Sequence, residues 1–254
     1  MPSGGCQRIE NGPAEPETAG LLLFYLLPSA YCMTTRVYLI RHGATELSAE
    51  DRFAGSIDVL LSETGRRQAR LLGERLAKDR ICAVYSSPMT RTVNTAELIA
   101  EPHGIAVTRV DELREIDHGR WEGRTRAEVA SEFHEEYERW EHDPYTFAPM
   151  GGESGLQVTA RALPRLLKLV EQHQSMPFVI VSHKATIRLL LSSLLAFDPR
   201  KYRDRLDQSP AALNIIDFKD VTHPRLMLFN DVSHYDRDVP DEAHARLSPI
   251  WSAG

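Results

Sequence analysis

Residues 177–183 read PFVIVSH, an apolar run that no polar residue interrupts until Ser182. A strand with one wet face alternates apolar and polar positions, so an unbroken, β-branched run of this length describes a strand buried on both faces. The segment behind it, KATIRLLLSSLLA, reads as a helix. A doubly buried strand that leads into a helix belongs in a parallel sheet with helices on both faces, and this constrains how the rest of the chain can be laid out.

From Met33 onward the chain keeps the same alternation. RVYLI (36–40) and ICAVYSS (81–87) read as strands, with shorter extended pieces at 106–110 and 112–116 and two later strands, AALNIIDF and PRLMLF. One helix is expected from a cap at Ser62 or Thr64 to Lys78, and a second is opened by Pro88 in its first turn and closed at Gly104. A polar helical stretch covers 125–141, and a further helix covers 155–173 with a kink expected at Pro164. The expected fold class is α/β, a largely parallel sheet sandwiched between helices in one domain over 33–235.

Residues 1–32 precede that domain as a leader rich in Pro, Gly and Glu, expected either to be disordered or to reflect a start assigned upstream of Met33. Residues 236–254 read as a loose polar tail. LLLFYLL (21–27) is too short to span a bilayer, and Glu10, Glu15 and Glu17 outweigh Arg8, the basic residue a secretory signal would want. A net charge of −6 over 254 residues lacks the basic field that nucleic-acid binding needs, although a local arginine cluster can still hold a small anion. Cys6, Cys32 and Cys82 show no C-x-x-C spacing, so neither a disulfide framework nor structural zinc is expected, and a reducing, cytoplasmic setting fits. Cys82, inside an apolar run, is expected in the core.

In a sheet of this kind ligands bind beyond the carboxyl ends of the strands. The first strand ends on Arg41-His42-Gly43, the second on Ser86-Ser87-Pro88 with Arg91 one turn later, a short extended piece on Glu115, and the fourth on Ser182-His183-Lys184. Each residue also has a plain reading: a surface pair at Arg41-His42, a helix cap at His183, a solvated Arg91, an ion-pair partner for Arg114 or Arg120 at Glu115. Their collection at one sheet edge favours a common task, the holding and moving of a phosphoryl group. Guanidinium forks bind phosphate oxygens bidentately, imidazole is a nucleophile near neutral pH that needs no metal to attack phosphorus, and a carboxyl group can protonate the leaving oxygen.

RHG with Thr45, SSPMTRTVNTAE, LREIDHGRWEG, GGES and VSH together resemble the signature set of the histidine phosphatase superfamily, the phosphoglycerate mutase-like proteins, over Arg36 to His234. The resemblance implies a mixed, mostly parallel sheet, a phosphorylated nucleophile at His42, phosphoryl contacts from Arg41, Arg91 and His183, and an acid at Glu115 that later activates water. It implies no metal and no other cofactor. Primer-dependent mutases of the family carry a long insertion between the acid and the second histidine; none is visible between Glu115 and His183, and GRWEG resembles the phosphatase branch. Open access of water to a phosphohistidine favours hydrolysis, with a phosphoglycerate mutase as the alternative and a non-catalytic phospho-ligand binder as a third reading that the presence of His42, Glu115 and His183 opposes. The expected partner is a small phosphomonoester of sugar phosphate or phosphoglycerate type.

The sequence also departs from the family pattern. Ala44, Leu47 and Ser48 stand where glutamate, tryptophan and asparagine are usual, and Ser48 is expected to line the pocket. Lys184 stands where glycine is frequent; it is either a solvated lysine at a helix start or a contact to a second anionic group on the substrate. His118, close behind Glu115, either borders the pocket or, on the plainer reading that is preferred, lies in an exposed loop. Trp121 and Glu122 are expected to brace the acid loop, Phe53 and Tyr145 to wall the site or cover a core edge, and Asn230 and His234 to bond loops near it. The leucine-rich helix after Lys184 fits a core position or a homodimer face equally.

Overall fold

The computed structural model describes residues 34–46 and 52–235. The leader, the tail and Ser48 lie outside the described residues. Strands β1 (Thr35–Arg41), β2 (Ala83–Ser86), β3 (Val107–Arg109), β4 (Phe178–Ser182), β5 (Leu213–Phe218) and β6 (Pro224–Asp231) form one six-stranded sheet in the order β3-β2-β4-β1-β5-β6. β4 lies between β1 and β2 and runs parallel to both, with Ile180 level with Leu39 on one side and Tyr85 on the other. β3 extends the parallel part, β5 pairs antiparallel with β1, and β6 pairs antiparallel with β5.

The helices are α1 (Glu63–Leu76), α2 (Thr90–Ala100), α3 (Arg126–Glu132), α4 (His134–His142), α5 (Gly155–Gln172), α6 (Lys184–Leu194) and α7 (Tyr202–Arg205). Successive β4 side chains go to opposite faces, as the strand period requires. Phe178 and Ile180 pack with Val37 and Leu39 against Leu166 and Leu169 of α5 and Ile187 and Leu190 of α6. Val179 and Val181 pack with Tyr38 and Ile40 against Leu72 and Leu76 of α1 and Ala96 and Ile99 of α2. All four β4 residues are fully buried, and each such side chain stabilises the fold by about 1.5–3 kcal/mol relative to an exposed one. The expected doubly covered sheet is what the chain forms.

Several local expectations need correction. α2 begins at Thr90, two residues after Pro88, and its N-terminus is capped by Asp58 of a distant loop, which accepts from the Thr90 backbone N–H at 2.8 Å and from its hydroxyl. Residues 112–116 are not a strand, because 111–113 wind into a single 3₁₀ turn. The helical stretch over 125–141 breaks at Phe133 into α3 and α4, each with its own start. α5 continues through Pro164, with Ser154 and Gln157 forming a reciprocal cap at its N-terminus. Cys82 is exposed rather than in the core; it precedes β2, and its sulfur lies 3.5 Å from His173 Nδ1. Among the described residues no helix is long and apolar enough to cross a membrane.

Candidate active site

Parallel pairing brings the carboxyl ends of β1, β2 and β4 to one edge of the sheet. His42 follows β1 directly, and its backbone N–H donates to the Ser182 carbonyl at 3.0 Å, so the two histidine-bearing strand ends are stitched together. The His42 and His183 rings are 5.3 Å apart between centroids and inclined at 62°. Both residues are buried. Gly43 permits this approach: a Cβ there would lie 2.4 Å from the Gly65 carbonyl oxygen, so the RHG turn rests directly on the backbone of α1. Ser62, the cap of α1, donates to the Ala44 carbonyl at 3.1 Å and holds the turn from the other side.

His42 Nδ1 lies 2.7 Å from the Gly43 carbonyl oxygen. A carbonyl only accepts, so Nδ1 carries the proton and the Nε2 lone pair is left for reaction. Burial, then the charges of Arg91 and Arg41, hold the His42 imidazole well below the ordinary histidine range, which keeps it neutral and nucleophilic. His183 is held low by burial and then by Arg91 and His42. Arg91 Nε donates to His183 Nδ1 at 3.3 Å, which assigns the His183 proton to Nε2, 2.8 Å from Ser87 Oγ.

Arg91 is itself buried; Nη1 donates to the Ile57 carbonyl at 2.7 Å, and Nη2 to the Gly55 and Ala54 carbonyls at 2.8 and 3.4 Å, which leaves one Nη1 N–H uncommitted. Arg41 donates to the Gln208 carbonyl at 2.6 Å and keeps a buried Nε without a partner. Burial, and then the neighbouring Arg188, lower the Arg41 guanidinium to about 10. Glu115 completes the edge. Its carboxylate oxygens accept from the Ile116, Ala185 and Thr186 backbone N–H groups at 3.0–3.1 Å, beside the Thr186 hydroxyl, which donates to the Arg114 carbonyl at 2.7 Å. The carboxyl group is thus seated on the first turn of α6, immediately after His183 and Lys184, where helix N–H groups and the dipole favour an acid.

The structure therefore brings Arg41, His42, Arg91, Glu115, His183 and Lys184 to one edge. Ser48 lies outside the described residues. A cleft of about 380 Å³ opens beside Glu115, lined by Ser56, Asp58, Met89, Asp117 and the Gly151–Gly152 turn. Among the described residues no group of three His, Cys, Asp or Glu side chains is placed to hold a metal ion.

Supporting residues that the sequence did not single out come from far along the chain. Arg161 of α5 forks onto Glu153 at 2.8 Å through Nε and Nη2, and donates to the Glu112, Arg114 and Glu115 carbonyls at 2.7–3.0 Å. Asp207 accepts from Arg188 at 3.0 Å. No local pattern announces either contact, since each joins segments distant in sequence.

His118 is not in an exposed loop: it packs edge-on against Phe53 and Trp140, and burial, then Arg126 and Arg203, push it down to about 3. Phe53 is buried in an aromatic cluster with Trp121 and Trp140, while Tyr145 packs on Ile116, Val158 and Leu189, at a core edge. Glu122 braces the acid loop as expected, accepting from the His118 and Ser56 backbone N–H groups at 2.9 and 3.0 Å. Asn230 bonds the Ser209 N–H at 2.7 Å, next to the carbonyl that Arg41 uses. Both His234 nitrogens are buried without partners, so His234 makes no such bond; Tyr235 does, through the Pro210 carbonyl.

A family profile described as the histidine phosphatase superfamily (branch 1) matches residues 37–232. Phosphoserine phosphatase 1 of Hydrogenobacter thermophilus is 35% identical over 167 residues, 66% of this chain and 79% of that protein. A probable phosphoglycerate mutase of Salmonella paratyphi A is 32% identical over 215 residues, 82% of this chain and 98% of that protein. The solved structure of a mycobacterial glucosyl-3-phosphoglycerate phosphatase superposes with a TM-score of 0.71 at 30% identity, covering 78% of this chain and 99% of that one.

Proposed function

Because the chain belongs to the histidine phosphatase superfamily, branch 1, we propose that it hydrolyses a small phosphorylated metabolite through a phosphohistidine on His42. In the first step His42 Nε2 attacks phosphorus in line, the phosphorus–oxygen bond to the alcohol breaks, and Glu115 gives that oxygen a proton. In the second step Glu115 takes a proton from water, the water oxygen attacks phosphorus, and the phosphorus–nitrogen bond breaks to release inorganic phosphate. Arg41 and Arg91 bind the phosphoryl oxygens, joined by His183 when its Nε2–H exchanges Ser87 for a phosphoryl oxygen, and imidazole chemistry of this kind needs no metal. The observation that carries the reading is the 2.7 Å contact of His42 Nδ1 with the Gly43 carbonyl, which leaves a neutral Nε2 beside two arginines.

The substrate class we infer is a sugar phosphate or phosphoglycerate derivative. A relative named as a glucosyl-3-phosphoglycerate phosphatase supports it, while one named as a phosphoserine phosphatase supports the wider class of small phosphorylated metabolites. The similarity to a probable phosphoglycerate mutase keeps phosphoryl transfer to a second substrate as the competing reading. Inorganic phosphate release from a phosphomonoester panel, measured beside phosphoglycerate isomerisation with a bisphosphoglycerate primer, separates them. The phosphatase reading expects phosphate release, and an acid-labile, alkali-stable phosphoryl adduct in wild type that His42→Asn lacks. Fast isomerisation with little phosphate release overturns it.

A further inference from the structure

Charge is unevenly distributed around Glu115. The cleft beside Glu115 is walled by Asp58, Asp117 and Glu153 against the single cation Arg114, a balance that disfavours an anion. At the start of α6, whose first N–H groups seat Glu115, three cations gather on the residue pair Asp207-Gln208. Arg188 Nη2 reaches Asp207 Oδ1 at 3.0 Å, Lys184 Nζ lies 3.8 Å from the same oxygen, and Arg41 holds the Gln208 carbonyl at 2.6 Å. The Arg41 and Arg188 Nε groups are buried with no partner.

The charges do not cancel within this cluster. Asp207 Oδ1 is hydrogen-bonded by Arg188 at 3.0 Å and by the Gln208 N–H at 2.7 Å, so that oxygen is already occupied, while Lys184 acts on it through charge alone. Arg41 serves the phosphoryl group in the reading above. Lys184 keeps only the longer ion pair to the same carboxylate. At 3.8 Å from Asp207 it is beyond hydrogen-bond distance, and its side chain is 34% exposed, open to a ligand. It is also the residue just ahead of the two N–H groups that seat Glu115, so it stands on the side where the alcohol departs. One surplus cation suits a monoanion, and a dianionic second phosphate would exceed it.

We propose that Lys184, backed by Arg188 and Arg41, is a specificity-determining contact for a carboxylate on the leaving alcohol, so that the preferred substrates are phosphomonoesters of hydroxy acids. The inference rests on the phosphatase reading above and narrows its substrate class. The state of the ammonium supplies a second handle. Burial first, then Arg188 of α6 and Arg41 of β1, lower Lys184 to about 7, with Asp207 opposing them and Arg126 of α3 adding to the positive field.

The test uses the full chain and two matched pairs that differ chiefly in the carboxylate: phosphoserine against phosphoethanolamine, and phosphoglycerate against glycerol phosphate. Wild type is expected to favour the carboxylated member by about tenfold or more in kcat/KM, the size of a charge-assisted contact. Lys184→Met should collapse that ratio towards one, and Lys184→Arg should keep it. In wild type the ratio should fall as pH rises through about 7, where the Lys184 ammonium loses its proton; with arginine in place it should persist at higher pH. A merely structural lysine would change both members of a pair alike and leave the pH dependence of the ratio flat. No preference in wild type, a ratio untouched by Lys184→Met, or a stronger preference for a bisphosphate overturns the proposal. Equal hydrolysis of both members does so while leaving the phosphatase reading intact. Failure to release phosphate from all four and from p-nitrophenyl phosphate removes both.

Discussion

Replacing Arg161 by methionine tests whether the acid loop is held from behind. The methionine keeps the apolar stem of Arg161 but removes five hydrogen bonds: two to Glu153 and one each to the Glu112, Arg114 and Glu115 carbonyls. The pair is neither a surface bridge nor a fully buried one, with the Arg161 and Glu153 side chains 16% and 24% exposed. Surface pairs contribute about 0–1 kcal/mol and a broken buried pair costs about 3–5 kcal/mol, so about 2–3 kcal/mol is expected here. For a domain of this size that is a fall in Tm of about 4–12 °C. Glu115 keeps its side-chain bonds to the start of α6, so its carboxyl group is loosened rather than released. A loss in kcat of about tenfold follows, consistent with a modest misplacement of one catalytic group. Thermal unfolding and steady-state phosphate release on Arg161→Met, Glu153→Gln and the double variant give the coupling between the two residues. Arg161→Lys retains charge but not the planar fork and should fall close to the methionine variant. A wild-type Tm and kcat in Arg161→Met would refute the clamp, and so would full function in Arg161→Lys.

Two further predictions concern the turn and the histidines. Gly65 lies inside α1, where alanine ordinarily stabilises a helix by about 0.5–1 kcal/mol. A Cβ there would sit 2.0 Å from the Ala44 carbonyl oxygen, so Gly65→Ala should instead destabilise, by about 1–3 kcal/mol as overpacking does, and should lower kcat by shifting the RHG turn; a variant more stable than wild type in chemical denaturation would contradict this. His42 and His183 stay neutral in the fold well below the ordinary range, His118 down to about 3 and His234 down to about 4, whereas the unfolded chain takes up these protons near 6.5. The unfolded state then binds more protons, so stability is full above pH 6.5 and is lost as pH falls towards the folded values, by up to about 1.4 kcal/mol per pH unit for each fully buried histidine. Tm measured between pH 7.5 and 4.5 should fall, His118→Asn should flatten the fall, and a Tm independent of pH in that range would show that the rings are not held neutral.

What could be read from the sequence is what the topology decides. An apolar run such as FVIV has one place in a small α/β fold, the middle of a parallel sheet, and the residue that follows such a strand emerges at the ligand edge. Arg41-His42 and His183 were therefore legible, and Arg91 followed from its helix behind β2. The antiparallel placement of β5 was not legible from periodicity, because alternating strands look alike in either direction; only the resemblance implied a mixed sheet. Cys82 misled because an apolar neighbourhood in sequence does not say where a strand begins, and its position just ahead of β2 leaves it at the surface. His118 misled in the opposite sense, since its cover comes from Phe53 and Trp140, which lie far away in the chain.

The same distinction separates the reacting groups from those that position them. His42 and His183 follow strand ends, which local sequence marks; Glu115 follows a 3₁₀ turn instead and is seated on the first turn of α6. Their supports depend on which helix passes behind them: Arg161 reaches the acid loop only because α5 packs there, and Asp207 meets Lys184 and Arg188 only because the segment after α7 folds back onto α6. Substrate choice is expected to follow the second group. The proposed phosphoryl chemistry uses the groups at the strand ends, whereas the weakly paired cation at residue 184, where the sequence resemblance implies a frequent glycine, depends on a carboxylate 3.8 Å away. A variant that restores glycine, Lys184→Gly, should accordingly keep phosphohistidine formation, read as the alkali-stable adduct after an alkaline quench, while losing selection for a carboxylated alcohol. Loss of the adduct together with the selectivity would place Lys184 in the chemistry itself and overturn the separation.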